Sequence, residues 1–255
     1  MYGICNLSSV PLRAEPSDKS EMISQVLFGE NFIVLEKQKY WSRIKVSFDE
    51  CEGFIDNKQF EEISEDLFTK IANQSSVYAG EIIDFITNST NDSLTIPLGA
   101  SLPFFTNHKF QLNKKSFRYQ GNVFSGTLPK NELIQKAFTF LNTPFLWGGK
   151  TPFGIDSSGF TQMVYQLCGY KLCRNTNQQA KQGEVLSFIE ESEPGDLAFF
   201  DNEEGKIIHV GIILKDYRII HAYGKVRIDI LDHSGIFNHD LQLHTHRLRV
   251  IKKII

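Results

Sequence analysis

Apolar residues fall in short runs through the first half of the chain and take up helical spacing only after residue 127. Val10-Pro11-Leu12-Arg13, Phe32-Ile33-Val34-Leu35 and Trp41-Ser42-Arg43-Ile44-Lys45-Val46 alternate or cluster at strand length, punctuated by Gly29-Glu30 and Gly53. Strands this short and this closely spaced predict a small barrel over residues 1–62. A second β-rich stretch runs from about Ser75 to Val123, with turns at Pro97-Leu98-Gly99, Leu102-Pro103 and Asn113-Lys114-Lys115 around the alternating Lys109-Phe110-Gln111-Leu112. It predicts a second barrel within 63–126, joined to the first by the acidic, partly helical segment from Phe60 to Asn73.

Beyond Thr127 the period changes. Leu133, Ile134, Ala137, Phe138 and Leu141 recur at helical spacing, with Pro129 near the start and Pro144 past the end. A second helix carries Phe160, Met163, Val164, Leu167 and Cys168 on one face and stops at Gly169. Strand-like runs follow at 197–200, 207–214, 217–222 and 248–255. Helices first and an antiparallel sheet after is an α+β order, so residues 127–255 read as a third domain.

Composition narrows the classes. Hydrophobic residues at 41% and charged residues at 22% describe an ordinary globular chain. Thirty acids against 27 bases give a net charge of −3 with no dense Lys/Arg tract, which argues against a nucleic-acid partner. No apolar stretch reaches membrane-span length, so no membrane insertion is expected. Cys5, Cys51, Cys168 and Cys173 lack metal-binding spacing, and Cys168 and Cys173 read as a buried helix thiol and a loop thiol. Met1-Tyr2-Gly3-Ile4-Cys5-Asn6 has neither the basic nor the apolar block of a signal peptide. A native start at Met1 implies a cytoplasmic protein; a removed signal peptide would imply the cell envelope. A monomer is expected.

The chemistry concentrates in Trp147-Gly148-Gly149-Lys150-Thr151-Pro152-Phe153-Gly154-Ile155-Asp156-Ser157-Ser158-Gly159-Phe160. Glycines and proline force a loop, and Asp156 to Gly159 then opens a helix. A serine at a helix start is ordinarily a cap. Here Ser157 also sits where free N–H groups and the dipole favour negative charge, as a nucleophile requires. Downstream, His209 in Ile208-His209-Val210-Gly211 and His221 in Ile220-His221-Ala222 lie in β-rich runs that can hold imidazoles rigidly. His108, His233, His239, His244 and His246 lack such context and are assigned to surface or packing. His244-Thr245-His246 offers two ligands on one strand face, but no third is evident.

These residues resemble the NlpC family of papain-like cysteine peptidases, in which the loop reads Asp-Cys-Ser-Gly-Phe and the first histidine precedes Val-Gly. The segment Val10 to Ser17, with Gly29-Glu30, Trp41 and Gly53-Phe54, is similar to the bacterial SH3-like domains that accompany such enzymes. The resemblance implies an α+β chain: a papain-like catalytic domain preceded by two small SH3-like β-barrels. It implies cleavage of the γ-D-Glu–diamino acid bond of stem peptides such as L-Ala-γ-D-Glu-diaminopimelate, in peptidoglycan recycling. The partners implied are peptidoglycan stem peptides or muropeptides, and no metal or organic cofactor.

Under that resemblance Ser157 occupies the nucleophile position, His209 is the general base and His221 orients it. Ser157 departs from the family's cysteine. A thiol with a pKa near about 8.5 can be lowered into the physiological range at a helix start; a serine hydroxyl cannot be held as an alkoxide that way. The chain is therefore expected to be inactive or nearly so, either as a cysteine-to-serine exchange that preserves bound substrate or as a natural paralogue that binds muropeptides as a sensor or scaffold. The resemblance further assigns substrate contacts to Trp147, Asp156 and Ser158, although Trp147 also fits a core aromatic and Asp156 a helix cap. In the Arg174-Asn175-Thr176 segment the family carries an acid that holds the ammonium of L-Ala. Asn175 keeps hydrogen-bond acceptance without the charge, and Thr176 keeps the hydroxyl. Glu15 fits an acid contributed by the first barrel, and Cys51 falls where a tyrosine is expected.

Overall fold

The computed structural model describes residues 1–255. In chain order the first strands are β1 (Tyr2–Ile4), β2 (Ser9–Arg13), β3 (Met22–Leu27), β4 (Asn31–Lys37), β5 (Trp41–Val46), β6 (Glu52–Asp56) and β7 (Glu61–Ile63). Helix α1 (Glu65–Ala72) precedes β8 (Val77–Ala79), β9 (Ile83–Asn88), β10 (Ser93–Pro97), β11 (Lys109–Leu112), β12 (Lys115–Tyr119) and β13 (Val123–Ser125). Helix α2 (Lys130–Thr139), the two-residue β14 (Lys150–Thr151) and β15 (Gly154–Ile155), α3 (Ser157–Leu167) and α4 (Thr176–Gln179) come next. The chain finishes with β16 (Glu184–Leu186), β17 (Leu197–Asp201), β18 (Ile207–Leu214), β19 (Arg218–Tyr223), β20 (Lys225–Leu231), β21 (Gly235–Asn238) and β22 (Leu243–Lys253). No helix is long and apolar enough to cross a membrane.

Two compact units emerge. One comprises Met1–Thr127 with Trp147–Pro152, the other Leu128–Leu146 with Phe153–Ile255. The sequence boundary at 126/127 does not anticipate the return of Trp147–Pro152 to the first unit.

In the first unit a seven-stranded sheet runs β3-β2-β6-β5-β4-β1-β7 around a core that includes Val10, Leu12, Val26, Phe32, Ile44 and Ile55. Alternation is clear in β4, where Phe32 and Val34 are buried and Ile33 and Leu35 exposed. Residues 63–126 supply α1, a four-stranded sheet β10-β9-β12-β11 and the ribbon β13-β8. Their core, with Ile86, Ile96, Phe110, Phe117 and Tyr119, recruits Ile4 and Phe28 from the first sixty residues. Gly29, at φ +77°, permits that sharing: a Cβ there would lie 2.0 Å from the Ser101 carbonyl oxygen. The connector resolves into β7 and α1, the latter capped by Ser64, whose side chain accepts from the Leu67 N–H.

The segment Trp147–Pro152 is fastened within the same unit. The Lys150 ammonium meets the Glu30 carboxylate at 2.9 Å with both side chains almost fully buried. Lys150 N–H donates to Gln25 Oε1 at 2.7 Å. Gly148, at φ +76°, would place a Cβ 2.3 Å from the Met22 carbonyl oxygen.

The second unit pairs helices with a seven-stranded antiparallel sheet, β16-β22-β17-β18-β19-β20-β21, in which β22 also pairs with β21. Because β22 bonds to both β17 and β21, the strands from β17 to β22 close into a barrel. Helix α2 buries Leu133 and Ala137 but leaves Phe138 and Leu141 partly in solvent, and Phe140 instead enters the core, edge-on to Phe160. Helix α3 is buried on every side rather than on the one predicted face. Thr161 donates to Gln179 Oε1 at 2.7 Å and Gln162 to the Leu172 carbonyl at 3.0 Å, whereas Gln166 Oε1 is buried without a hydrogen-bond partner. Neither Cys168 nor Cys173 is in a disulfide, and Cys168 is buried.

Candidate active site

Helix α3 starts where the sequence places it, but its cap is Asp156, not Ser157. Asp156 is extended (φ −93°, ψ 175°) and its Oδ1 accepts the Gly159 N–H at 2.6 Å. Ser157 is then the first helical residue. Its N–H is one of those that no helical carbonyl can satisfy, and it sits at the positive end of the dipole. Ser157 is buried.

A fully buried arginine holds this turn. Arg174 grips Asp156 with Nη1 on Oδ1 at 2.9 Å and Nη2 on Oδ2 at 2.7 Å, and Nη1 also donates to Ser158 Oγ at 2.9 Å. Ser158 in turn donates to Asp156 Oδ1 at 3.2 Å. The Asp156 carboxylate thus serves cap and ion pair together. The family resemblance brought Arg174 into view only as the residue before Asn175.

Asn175 is the exposed N-cap residue of α4, with no side-chain cap bond, and Thr176 is the half-buried first residue. Gln179 ties this segment to α3, donating to the carbonyls of Ser158 at 2.9 Å and Cys173 at 2.8 Å.

Helix α3 packs on β18 and β19, the strands that carry His209 and His221. Both imidazoles are buried. Gly211 lies opposite His221 in register, where a Cβ would meet the His221 Cβ at 2.9 Å. His209 Nε2 lies 2.8 Å from His221 Nδ1, with the rings nearly perpendicular. The chain continues beyond the pair: His221 Nε2 lies 3.0 Å from Asp229 Oδ2, and Arg227 donates through Nε to Oδ2 at 2.7 Å and through Nη2 to Oδ1 at 2.9 Å.

Asp229 and Arg227 were not candidates from sequence. In Val226-Arg227-Ile228-Asp229-Ile230 the alternation predicts the isoleucines inside, yet Asp229 is buried and Ile230 exposed. His246, assigned to surface or packing, stacks on His209 with centroids 4.1 Å apart and 28° between planes. It does not share a face with His244, because β22 bulges there: Ile236 pairs with His246 and Phe237 with His244. His244 bonds to Asp232 instead.

Burial, with the nearby His221 and His246 adding to it, drives the His209 pKa well below the ordinary histidine range. Burial also lowers His221, outweighing the attraction of Asp229, and lowers His246 to about 4. Burial opposes ionisation of Asp229, but the hydrogen bonds from His221 and Arg227 prevail and hold its carboxyl below the usual range. At neutral pH the site is a pair of neutral imidazoles backed by an ionised carboxylate.

The remaining candidates belong to the first unit. Glu15 is exposed in the turn after β2, its N–H bonded to Ser20 Oγ at 2.9 Å. Trp147 is 60% exposed, which removes the core-aromatic alternative, and its Nε1 donates to Glu21 at 2.6 Å.

Residues 142–245 match the NlpC/P60 family, and residues 12–60 match the bacterial dipeptidyl-peptidase SH3 domain. The chain is 28% identical over 217 residues to a γ-D-glutamyl-L-lysine dipeptidyl-peptidase of Bacillus subtilis (strain 168), covering 78% of this chain and 71% of the relative. It is 31% identical over 125 residues to a probable endopeptidase of Haemophilus influenzae, covering 48% of this chain and 77% of that protein. The crystal structure of an NlpC/P60 family protein from Bacillus cereus superposes with a TM-score of 0.82 at 19% identity, across 100% of this chain and 99% of the other. Shared fold, shared sequence and a histidine pair on strands packed against a buried helix lead to one assignment: the chain belongs to the NlpC/P60 family of cell-wall peptidases, with a bacterial dipeptidyl-peptidase SH3 domain ahead of its NlpC/P60 domain.

Proposed function

We propose that this protein binds peptidoglycan stem peptides at the α3 start and is built to cut the bond between γ-D-Glu and a diamino acid, with hydrolysis curtailed by Ser157. The observation that carries the reading is the neutral His209–His221 pair at 2.8 Å on strands packed against the helix that Ser157 opens. The B. subtilis relative is named for γ-D-glutamyl-L-lysine, which supports the same bond class here.

With cysteine at 157, the thiol proton passes to His209 and the sulfur adds to the γ-carbonyl carbon. The Ser157 backbone N–H, unpaired at the first helical position, would donate to the developing oxyanion. Collapse breaks the C–N bond, His209 returns the proton to the departing amine, and water then hydrolyses the thioester. A serine hydroxyl must instead lose its proton during attack, to a base that burial has made weak.

The decisive experiment installs Ser157→Cys and supplies L-Ala-γ-D-Glu-diaminopimelate and its L-Lys counterpart, with mass spectrometry for L-Ala-D-Glu. Release by the variant and little or none by the unaltered chain is the expected result. Binding without release by either would refute the peptidase reading and favour a sensor or scaffold, for which Ser157 is the specific support. Comparing an N-acetylated substrate tests whether Asn175 demands a free amine; equal rates would refute that role.

A further inference from the structure

The face of the C-terminal sheet that carries His209 and His221 also buries Asp229, a charge that neither family resemblance nor sequence alternation anticipates. We propose that Asp229 is a positioning residue that fixes the tautomers of both imidazoles, and so leaves His209 Nδ1 as the atom that takes the proton. The inference rests on His209 being the general base in the reading above.

Three contacts place the protons. Asp229 is ionised, hence acceptor-only, and its Oδ2 lies 3.0 Å from His221 Nε2, so the proton of that contact belongs to Nε2. His221 is neutral, so its Nδ1 carries a lone pair. That lone pair faces His209 Nε2 at 2.8 Å, and a hydrogen bond there requires His209 to be the donor. A neutral His209 with its proton on Nε2 has a free lone pair at Nδ1, where it makes no other hydrogen bond. When Nδ1 takes the nucleophile's proton, the Nε2–H bond to His221 is already in place and no ring need turn.

Arg227 secures the carboxylate. Its two N–H bonds, at 2.7 and 2.9 Å, hold both oxygens in one plane, and its Nη2 reaches Asp240 at 2.8 Å. Asp229 Oδ2 accepts from His221 and Arg227 at once, so an amide nitrogen in its place would face two donors. Asp229→Asn can relieve that conflict only by turning its carbonyl to one side, or by moving the His221 proton to Nδ1. In the second case His209 Nε2 becomes the acceptor and its proton moves to Nδ1, the wrong atom for a base. His246, stacked on His209, also faces the pair and is neutral at the same pH, and the Tyr223 ring lies against both His221 and His246.

The test needs no turnover. In ¹⁵N-labelled protein as it stands, imidazole ¹H–¹⁵N correlation spectra at pH 7 are expected to show His221 and His209 both as Nε2–H tautomers. Asp229→Asn and Asp229→Leu are expected to shift His221 toward Nδ1–H. In the Ser157→Cys background the same substitutions are expected to lower kcat by about 10–100-fold with KM nearly unchanged, with rates scaled to the folded fraction read from the same spectra so that loss of folded protein is not counted as loss of kcat. An Nδ1–H tautomer or an imidazolium at His221 in the unaltered protein overturns the proposal whether or not the variants fold. So does an unchanged His221 tautomer in both variants. If Ser157→Cys has no activity, the peptidase reading fails, and the spectra still decide the role of Asp229.

Discussion

Removing the guanidinium of Arg174 tests whether the start of α3 is organised by a buried ion pair. Its side chain is 1% exposed and that of Asp156 11%, and three N–H bonds from Arg174 end on Asp156 and Ser158. Arg174→Met takes the guanidinium from the carboxylate, to which the Gly159 N–H and the Ser158 hydroxyl still donate. Breaking a buried pair from one side costs about 3–5 kcal/mol. The helix N-terminus offsets up to about 1–2 kcal/mol of that, so the single change is expected to cost about 3 kcal/mol. Asp156→Asn alone strands the guanidinium, at a similar cost. The double variant removes both charges while the asparagine still caps, and is expected to lose only about 1 kcal/mol. The cycle should therefore show a coupling of several kcal/mol, measured by urea denaturation and by hydrogen exchange at α3 amides. Additivity within about 0.5 kcal/mol would refute the reasoning and reduce Asp156 to an ordinary cap.

Two further outcomes concern the buried histidines and Gly148. His209, His221 and His246 are all depressed in the fold, so the unfolded chain binds more protons below about pH 6.5, and the stability this contributes is full above that pH and lost as pH falls toward the folded values. Held at about 4, His246 alone accounts for about 3 kcal/mol between pH 6.5 and 4; His246→Phe should flatten the urea-midpoint profile by one proton, and a flat profile from pH 7 to 5 in the unaltered protein would contradict the assignment. Gly148→Ala forces a Cβ against the backbone oxygen of Met22 at φ +76° and is expected to cost about 2–3 kcal/mol, read as a lowered melting temperature; a change under about 0.5 kcal/mol would show that the loop can shift.

The α3 start was legible because its signals are local: glycines that open the loop, Asp156 beside the first turn, and apolar periodicity after it. His209 and His221 were legible by motif. Asp229 was not, since the flanking isoleucines point the alternation the wrong way and only its pairing with His221 and Arg227 makes burial tolerable. His246 was hidden by the β22 bulge, which sends two histidines at i and i+2 to different neighbours. Arg174 was hidden by distance, its partner lying eighteen residues upstream. The early barrel strands were readable from alternation, whereas the recruitment of Ile4 and Phe28 into the neighbouring core is a long-range matter that no local window reports.

The Lys150–Glu30 pair bears on how such a chain could have been assembled. A fragment ending at Thr127 would keep the Glu30 carboxylate and forfeit its ammonium, so its reshuffling onto an unrelated partner would expose an unneutralised acid in a dry interior. The first unit is therefore a poor cassette for recombination, and the two halves should be inherited together, with acid and base at positions 30 and 150 exchanged in concert or not at all.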